Sequence, residues 1–182
     1  MENTTNNFTN SHPRSNDSLK NMTFTAMFMA LTIVLSSFGI PVPGGHLYLC
    51  DIVICTAAIL LSPGYAFVAA GVGSFLGDML FYPAPMFVSL VTHGIQAIVI
   101  SLFVHHIFKH KQKLGAVIGV SIGAVIMVVG YTLGKIYVYS TFEYAMIKLP
   151  FEIAQAVLGA VGGIIIVYGL GLKSIYTRWI NK

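Results

Sequence analysis

Polar side chains that suit ligand recognition recur inside the apolar runs of this 182-residue sequence. In "VTHGIQA" (91–97), His93 and Gln96 are three residues apart, which puts both on one face of a helix. An imidazole and an amide placed together can hydrogen-bond the ring nitrogen and hydroxyl of a small heterocycle. A buried histidine also serves simply to link two helices, so both interpretations stand for His93.

A second set of side chains forms a stripe in "GYTLGKIYVYSTFEY" (130–144), where Tyr131, Lys135 and Tyr139 recur at intervals of four. Phenol rings stack on flat ligands and carry a hydrogen-bonding group. An aromatic belt at the membrane interface is the alternative, and it suits Tyr137, Tyr139 and Tyr144. Tyr131 and Lys135 lie too deep in the run for that belt, so we expect them in a pocket.

The third motif, "LPFEIAQAVLGAVGG" (149–163), predicts a helix that begins at Pro150, a favourable first-turn residue. Glu152 and Gln155 then share one face. The helix dipole alone favours an acid in the first turn. Gln155 has no such reason to be there, so we expect it to line the same pocket.

The acidic residues beyond the N-terminal segment all lie near the same end of their apolar runs; they are Asp51, Asp78, Glu143 and Glu152. Lys135, His46 and His93 belong to that end too. Ionisable groups within a membrane usually face a bundle interior or a watery cavity, so the pattern predicts a polar cavity open at one end. Carboxylates at the interface are the alternative for three of the acids, while Asp78 is expected to anchor a loop or to pair with Lys135.

The elements that position these residues are membrane helices. The chain is 56% hydrophobic and 9% charged, whereas soluble domains carry about 25% charged residues. A spanning helix needs about 20 apolar residues. The sequence supplies six apolar runs, at 20–39, 47–62, 64–82, 86–107, 115–138 and 149–170.

Basic residues predict the orientation of these runs. An N-terminus inside the cell places eight of the ten Lys and Arg in cytoplasmic segments, with Lys148 in an outer loop. The net charge of +4 therefore reflects topology, and no nucleic-acid partner is expected. We predict an all-α integral membrane protein with six transmembrane helices and cytoplasmic N- and C-termini. A disordered polar tail (1–19), a membrane domain (20–172) and a basic tail (173–182) complete the organisation.

No catalytic set is present in the sequence. It has no nucleophile elbow, zinc-protease motif or phosphate-binding loop, and Cys50 and Cys55 suit neither a disulfide nor a metal framework. We expect no enzyme activity, no metal and no cofactor in this chain. Any energy for transport would come from another protein or from an ion gradient.

Two further motifs complete the pattern. "GIPVPGGHLYLCD" (39–51) is rich in Pro and Gly and ends in an acid, and "AMFMA" places Ala26 and Ala30 one helical turn apart. With six spans and the order "HLYLCDIVICTAAILLSPGYAFVAAGVGSFLGDMLFYP", the chain resembles the substrate-binding S component of an energy-coupling factor (ECF) vitamin transporter. "LPFEIAQAVLGAVGG" is similar to the opening of that family's sixth span. The resemblance covers about residues 20–172.

The resemblance implies a function and partners. An S component in a bacterial cell membrane captures a vitamin from outside, and its first outer loop closes over the ligand. Ala26 and Ala30 would contact a transmembrane coupling (T) component, and two cytoplasmic ATPases would drive delivery. The loop residues Pro43, Gly44 and Gly45, anchored by Asp51 and Asp78, would form the gate; the ligand would contact His46, His93, Gln96, Tyr131, Lys135, Glu152 and Gln155.

The chain most resembles members that take hydroxymethylpyrimidine or pyridoxine. Lys135 also suits a carboxylate ligand such as pantothenate unless Asp78 or Glu152 neutralises it. Two other classes compete with this interpretation. A solitary proton-coupled secondary carrier would use Asp78, Lys135 and Glu152 as a proton relay, although no internal repeat is evident. A membrane enzyme would need a catalytic set that the sequence lacks.

Overall fold

Seven helices and one β-hairpin make up residues 13–180, the part of the chain that the computed structural model describes. In chain order they are α1 (Pro13–Ser36), β1 (Gly39–Val42), β2 (Gly45–Tyr48), α2 (Cys50–Leu60), α3 (Pro63–Phe81), α4 (Met86–Ile107), α5 (Gln112–Tyr139), α6 (Phe142–Gly169) and α7 (Leu172–Ile180). Each of α3 to α6 contains one π-helical turn; these are Val68–Val72, Phe103–Ile107, Lys135–Tyr139 and Ile165–Gly169.

Five helices within residues 13–180 are long and apolar enough to cross a membrane: the segment Asp17–Ser36 of α1, and all of α3, α4, α5 and α6. This confirms a multi-pass, helical membrane protein. The second predicted span is the 11-residue α2, which is shorter than the hydrocarbon thickness of a bilayer. The count of six spans and the cytoplasmic location of both termini remain predictions.

The short helix α2 forms the centre of the bundle. It packs against α1, α4 and α6, and Ile54, Ala57 and Ala58 are completely buried. Because neighbouring helices surround it, α2 does not need the length of a lipid-facing span. Its first turn therefore carries Cys50 and Asp51 into the interior of the protein, where both are buried.

Glycines bring the helices around α2 into close contact. A Cβ atom at Gly77 of α3 would lie 2.7 Å from the Cβ of Ser36 on α1, and one at Gly159 of α6 would lie 2.5 Å from that of Asp51. Small residues at such positions allow close helix packing in membranes. The glycine at 159 thus places the Asp51 carboxylate directly against α6.

The segment 39–48 is a regular antiparallel hairpin rather than an irregular loop. Val42 pairs with Gly45, so Pro43 and Gly44 form a two-residue turn. Gly44 has a φ of +81°, a conformation that glycine adopts without a Cβ clash, and Pro suits the position before it. The expected Pro- and Gly-rich cover is therefore present, and the two strands give it a fixed shape.

The prediction that a helix begins at Pro150 is wrong. Helix α6 begins at Phe142, after the extended residue Thr141, and Pro150 lies inside it. The predicted loop residues are helical: Glu143 occupies the first turn, where an acid is favoured, and Lys148 is buried. Proline is tolerated inside membrane helices because neighbouring groups satisfy the freed carbonyl. The helix therefore continues through a residue that usually marks a start.

The predicted terminal tails are helical where the structure describes them. Helix α1 begins at Pro13, so residues 13–19 extend the first span, as suits a proline in the first turn; residues 1–12 lie outside the described part. At the other terminus, residues 172–180 form α7, which begins after Gly171 (φ +73°). Glycine in this conformation commonly ends a helix, here α6.

Most of the basic residues lie at one end of the bundle, and the buried carboxylates lie at the other end together with Lys135 and Lys148. Lys20 Nζ donates to the carbonyl oxygen of Ile180 at 3.1 Å, and Lys173 donates to the Gln112 side chain. The N-terminal end of α1 and the 108–113 and 170–180 segments therefore meet at one end. The hairpin and the buried carboxylates lie at the other end, as the sequence predicted.

Candidate functional site

A polar cavity lies beneath the hairpin. Side chains from the hairpin, α2, α3, α4, α5 and α6 line it; they include His46, Tyr48, Asp78, Tyr82, His93, Tyr131, Lys135, Tyr139, Lys148 and Gln155. Its volume is about 30 Å³, whereas pockets for small molecules measure roughly 300–1,000 Å³. The cavity therefore has room for only a few water molecules. A vitamin can enter only if the hairpin or the lining side chains move.

One wall of the cavity is a chain of hydrogen bonds. Ser89 on α4 donates to a carboxylate oxygen of Asp78 on α3, and the hydroxyl groups of Ser89 and Tyr131 are 2.5 Å apart. Because the Ser89 hydrogen is committed to Asp78, Tyr131 is the donor to Ser89. The ring of Tyr131 also contacts the His93 imidazole, with centroids 5.3 Å apart. Asp78 thus braces α3 against α4, and it forms no ion pair with Lys135 among residues 13–180.

The tautomer of His93 follows from its neighbours. Nδ1 lies 2.7 Å from Gln96 Oε1, an oxygen that only accepts, so Nδ1 carries a proton. Nδ1 also lies 3.8 Å from Asp51 Oδ1. Nε2 is left as the ring atom that can meet a ligand. The predicted shared face of His93 and Gln96 is thereby confirmed, with Gln96 orienting the imidazole.

Asp51 and Gln155 connect the cavity to the hairpin. Gln155 Nε2 donates to Asp51 Oδ2 at 2.6 Å, and its Oε1 accepts from the backbone N–H of Tyr48 at 3.0 Å. Asp51 Oδ1 is buried and has no hydrogen-bond partner among residues 13–180. An unpaired buried carboxylate oxygen is costly, so this network has acceptor capacity to spare for a donor group.

A buried charge cluster supports the tip of the hairpin. Glu152 Oε1 lies 3.5 Å from Lys148 Nζ and 3.9 Å from Lys135 Nζ. Lys135 Nζ donates to the carbonyl oxygen of Gly44 at 3.3 Å, and the aliphatic stem of Lys148 packs under Gly44 and Gly45. The two lysines therefore neutralise Glu152 and hold the turn in place.

The π-helical turn Lys135–Tyr139 explains why three residues of α5 reach one cavity. In an α-helix, a residue lies about 40° further around the helix axis than the residue four positions before it. A π turn has more residues per turn, so the same four-residue step rotates the side chain back in the opposite sense. Tyr131, Lys135 and Tyr139 consequently stay in one stripe and all line the cavity. The membrane interface was the alternative location for Tyr139. In the structure Tyr139 lines the cavity, and the Lys135 ammonium lies 5.4 Å from the centroid of its ring.

Five of the seven residues predicted to contact substrate line the cavity: His46, His93, Tyr131, Lys135 and Gln155. Gln96 and Glu152 lie behind it and orient His93 and the two lysines. Of the gate residues, Pro43 and Gly44 form the turn of the hairpin and Gly45 begins β2. Whether any of these side chains contacts a ligand stays a prediction.

Lys148 and Tyr48 are two of the lining residues that sequence reasoning missed. Lys148 was assigned to a loop because Pro150 suggested a helix start two residues later; the four-residue spacing to Glu152 was the available signal. Tyr48 was overlooked in the hairpin. Burial, together with the nearby Asp78, raises the pKa of Tyr48 to about 12, so its hydroxyl remains a neutral donor at physiological pH.

Ala26 and Ala30 do not pack inside the bundle. Both are exposed on α1, so the internal-packing alternative for this pair is wrong, and the surface is open to lipid or to another helix. Within residues 13–180, no three His, Cys, Asp or Glu side chains come close enough to share a metal ion. Cys50 and Cys55 are both buried free thiols.

Comparison with known proteins identifies a matching family and a relative. A family model described as "ECF-type riboflavin transporter, S component" matches residues 16–173. A protein of Pyrococcus woesei, described as an uncharacterized protein in the gap 3′ region, is 33% identical over 145 residues, which are 78% of this chain and 92% of that protein. The family match spans all the residues that build the cavity and the hairpin.

Proposed function

Because this chain belongs to the family of ECF-type riboflavin transporter S components, we propose that it captures a water-soluble vitamin in the cavity beneath the β1–β2 hairpin. The chain is a membrane transporter subunit rather than an enzyme, and vitamin capture for an ECF importer is the role of its family. The observation that carries the proposal is the polar cavity closed by the tip of the hairpin, which rests on Lys135 and Lys148.

The ligand that we propose is a single aromatic heterocycle with hydroxyl or amino groups, namely hydroxymethylpyrimidine or pyridoxine. Phenol and imidazole rings surround the cavity and suit stacking on a flat ring. The Asp78 carboxylate lines the cavity and favours a ligand that carries hydrogen-bond donors. Nε2 of His93 then interacts with a ligand hydroxyl.

A carboxylate vitamin such as pantothenate fits the charges less well. Lys135 and Lys148 share the single buried carboxylate of Glu152, which leaves one net positive charge, and the two nearby carboxylates of Asp51 and Asp78 outnumber it. Asp51 and Asp78 would in addition repel a carboxylate. The buried charges therefore support a neutral or weakly basic ligand.

Riboflavin is the second candidate, and the description of the family model favours it. Its three fused rings and sugar-alcohol chain need much more room than one heterocycle. Since the closed cavity measures about 30 Å³, riboflavin would require a wider displacement of the hairpin and of Tyr131 than pyridoxine would. Competition between the two vitamins on one preparation distinguishes the candidates.

The remaining parts of the transporter are separate proteins in this proposal. A transmembrane T component contacts the exposed surface at Ala26 and Ala30, where small side chains permit close helix approach. Two cytoplasmic ATPases supply the energy. The hairpin faces outside and the basic end faces the cytoplasm, in accordance with the distribution of Lys and Arg.

Uptake into proteoliposomes tests this function. We expect vitamin accumulation only when the T component and ATPases are present with ATP, and none with a pH gradient alone. Accumulation by the chain alone, driven by a pH gradient, would instead establish the solitary carrier, which the family match does not favour. Radiolabelled pyridoxine, hydroxymethylpyrimidine and riboflavin are supplied in parallel so that substrate identity and energy source are read separately.

A further inference from the structure

Two lysines from different segments converge on one tyrosine at the basic end of the bundle. Lys113 Nζ and Lys173 Nζ lie 6.0 and 5.3 Å from the ring centroid of Tyr168. Lys173 also donates to the Gln112 side chain, and the Tyr168 hydroxyl donates to the Gln112 carbonyl oxygen at 3.2 Å. The ends of α5, α6 and α7 are thereby locked together around a pair of like charges.

No carboxylate accounts for this pair. Within residues 13–180, neither lysine forms an ion pair; Asp17, the acid at this end, lies 3.9 Å from Lys20. Burial and then the charge of Lys113 lower the pKa of Lys173 from its ordinary value. Like charges held together without an acid favour the arrival of an anion.

The surface around Tyr168 offers hydrogen-bond donors to such an anion. Two adjoining grooves, which we call the Tyr168 grooves, share Tyr168 and Lys173. One groove adds the donors Ser174 and Arg178, and the other adds Lys109, Lys111 and Lys113. Hydroxyl, ammonium and guanidinium groups together are the donors that bind phosphate oxygens.

Helix α7 places these donors beside an apolar surface. Tyr176 attaches α7 to α1 through a ring contact with Phe24 (4.9 Å between centroids) and a hydrogen bond to Asn21 at 2.8 Å. Ile175 and Trp179, four residues apart on one face, remain 52% and 63% exposed. A short helix with an aromatic and an aliphatic residue beside a basic face suits the membrane interface.

We propose that the Tyr168 grooves bind the phosphate headgroup of an anionic phospholipid, while Ile175 and Trp179 insert among its acyl chains. The grooves lie where two spanning helices end, at Gly169 and Gln112, which is the depth of lipid headgroups. The exposed apolar side chains favour a lipid over a soluble phosphate. The site is independent of the vitamin cavity at the other end of the bundle.

The single tryptophan of the chain, Trp179, reports on this site. The full chain is reconstituted in vesicles that contain phosphatidylcholine and phosphatidylglycerol at a fixed ratio, with bromine on the acyl chains of only one of the two lipids. We expect brominated phosphatidylglycerol to quench the fluorescence of Trp179 more strongly than its mole fraction predicts. We call this additional quenching the excess. Lys113→Ala with Lys173→Ala should abolish the excess, because each lysine near a lipid surface contributes about fivefold to binding.

Matched variants keep the result specific. Lys113→Arg with Lys173→Arg keeps both positive charges at the grooves and should keep the excess quenching. If the double alanine variant does not fold, Lys113→Ala alone, at an exposed position, should lower the excess about fivefold. Equal quenching by the two lipids, or an undiminished excess in Lys113→Ala with Lys173→Ala, would overturn the proposal. Displacement of the lipid by millimolar inorganic phosphate would overturn the assignment to a lipid.

Discussion

Lys135 Nζ donates a hydrogen bond to the backbone carbonyl oxygen of Gly44 at 3.3 Å. A side chain of the fifth helix therefore holds the tip of the hairpin that covers the cavity. The same lysine lies 3.9 Å from Glu152, so the position of the hairpin depends on a buried charge cluster. Because Lys135 also lines the cavity, a bound ligand and the hairpin contact the same side chain.

Lys135→Met is expected to loosen the hairpin in the ligand-free protein. The variant keeps the length of the side chain but loses the hydrogen bond, which contributes about 1.5 kcal/mol when the donor is charged. Amide hydrogen exchange in residues 39–48 should become about tenfold faster. Tyr137→Phe, at a residue that is 79% exposed on the same turn, is the control. Unchanged exchange in Lys135→Met would show that this contact does not hold the hairpin.

Gly44→Ala should weaken vitamin binding more than Gly171→Ala does. Both glycines have positive φ values, +81° and +73°, where alanine costs about 1–2 kcal/mol. A Cβ at Gly44 would lie 3.0 Å from the Lys148 Cβ, whereas nothing lies within 4 Å of one at Gly171. Titration calorimetry on both variants measures the difference, and equal affinities would argue against closure by the hairpin.

Glu152→Gln should destabilise the protein by about 3 kcal/mol, because it leaves Lys135 and Lys148 as buried cations without their shared counterion. Thermal unfolding in detergent measures the loss. Glu143→Gln changes an exposed acid in the first turn of the same helix and should lower the unfolding temperature much less. Similar unfolding temperatures for the two variants would mean that the cluster contributes little to stability.

Ala26→Leu with Ala30→Leu should prevent assembly with the T component while vitamin affinity is retained. The two alanines are exposed on α1, so larger side chains fill the space that an approaching helix needs. Co-purification with the partner subunits is the measurement. Val161→Leu, at a residue that is 51% exposed on α6, is the control. Normal assembly of the double variant would place the partner surface elsewhere.

The polar stripe of α5 was predictable because spacing alone sets it. Tyr131 and Lys135 are four residues apart in a long apolar run, and helix geometry puts them on one side. The contact of His93 with Gln96 was predictable for the same reason. Which elements these side chains face was not predictable, because it depends on how the helices pack. Close contacts at glycines such as Gly159 determine which helices surround the cavity.

The true start of α6 was not predictable from local signals. Pro150 favours a helix start, and the polar residues Glu143 and Lys148 resemble a loop. In the structure, Lys148 is buried because Glu152 and the turn of the hairpin lie next to it. The contact with the hairpin joins segments about one hundred residues apart, and no local pattern encodes it, whereas the four-residue spacing to Glu152 is a local signal. The strands of the hairpin were missed because two prolines and three glycines in 39–45 have low strand propensity.

Mass spectrometry of small molecules released from the purified full chain tests vitamin capture most directly. Cells are grown with a panel of water-soluble vitamins, and the protein is purified in detergent without partner subunits. We predict one equivalent of pyridoxine or hydroxymethylpyrimidine per chain; one equivalent of riboflavin would retain the capture function and select the second candidate. A protein that releases no vitamin and binds no member of the panel on titration would contradict the account.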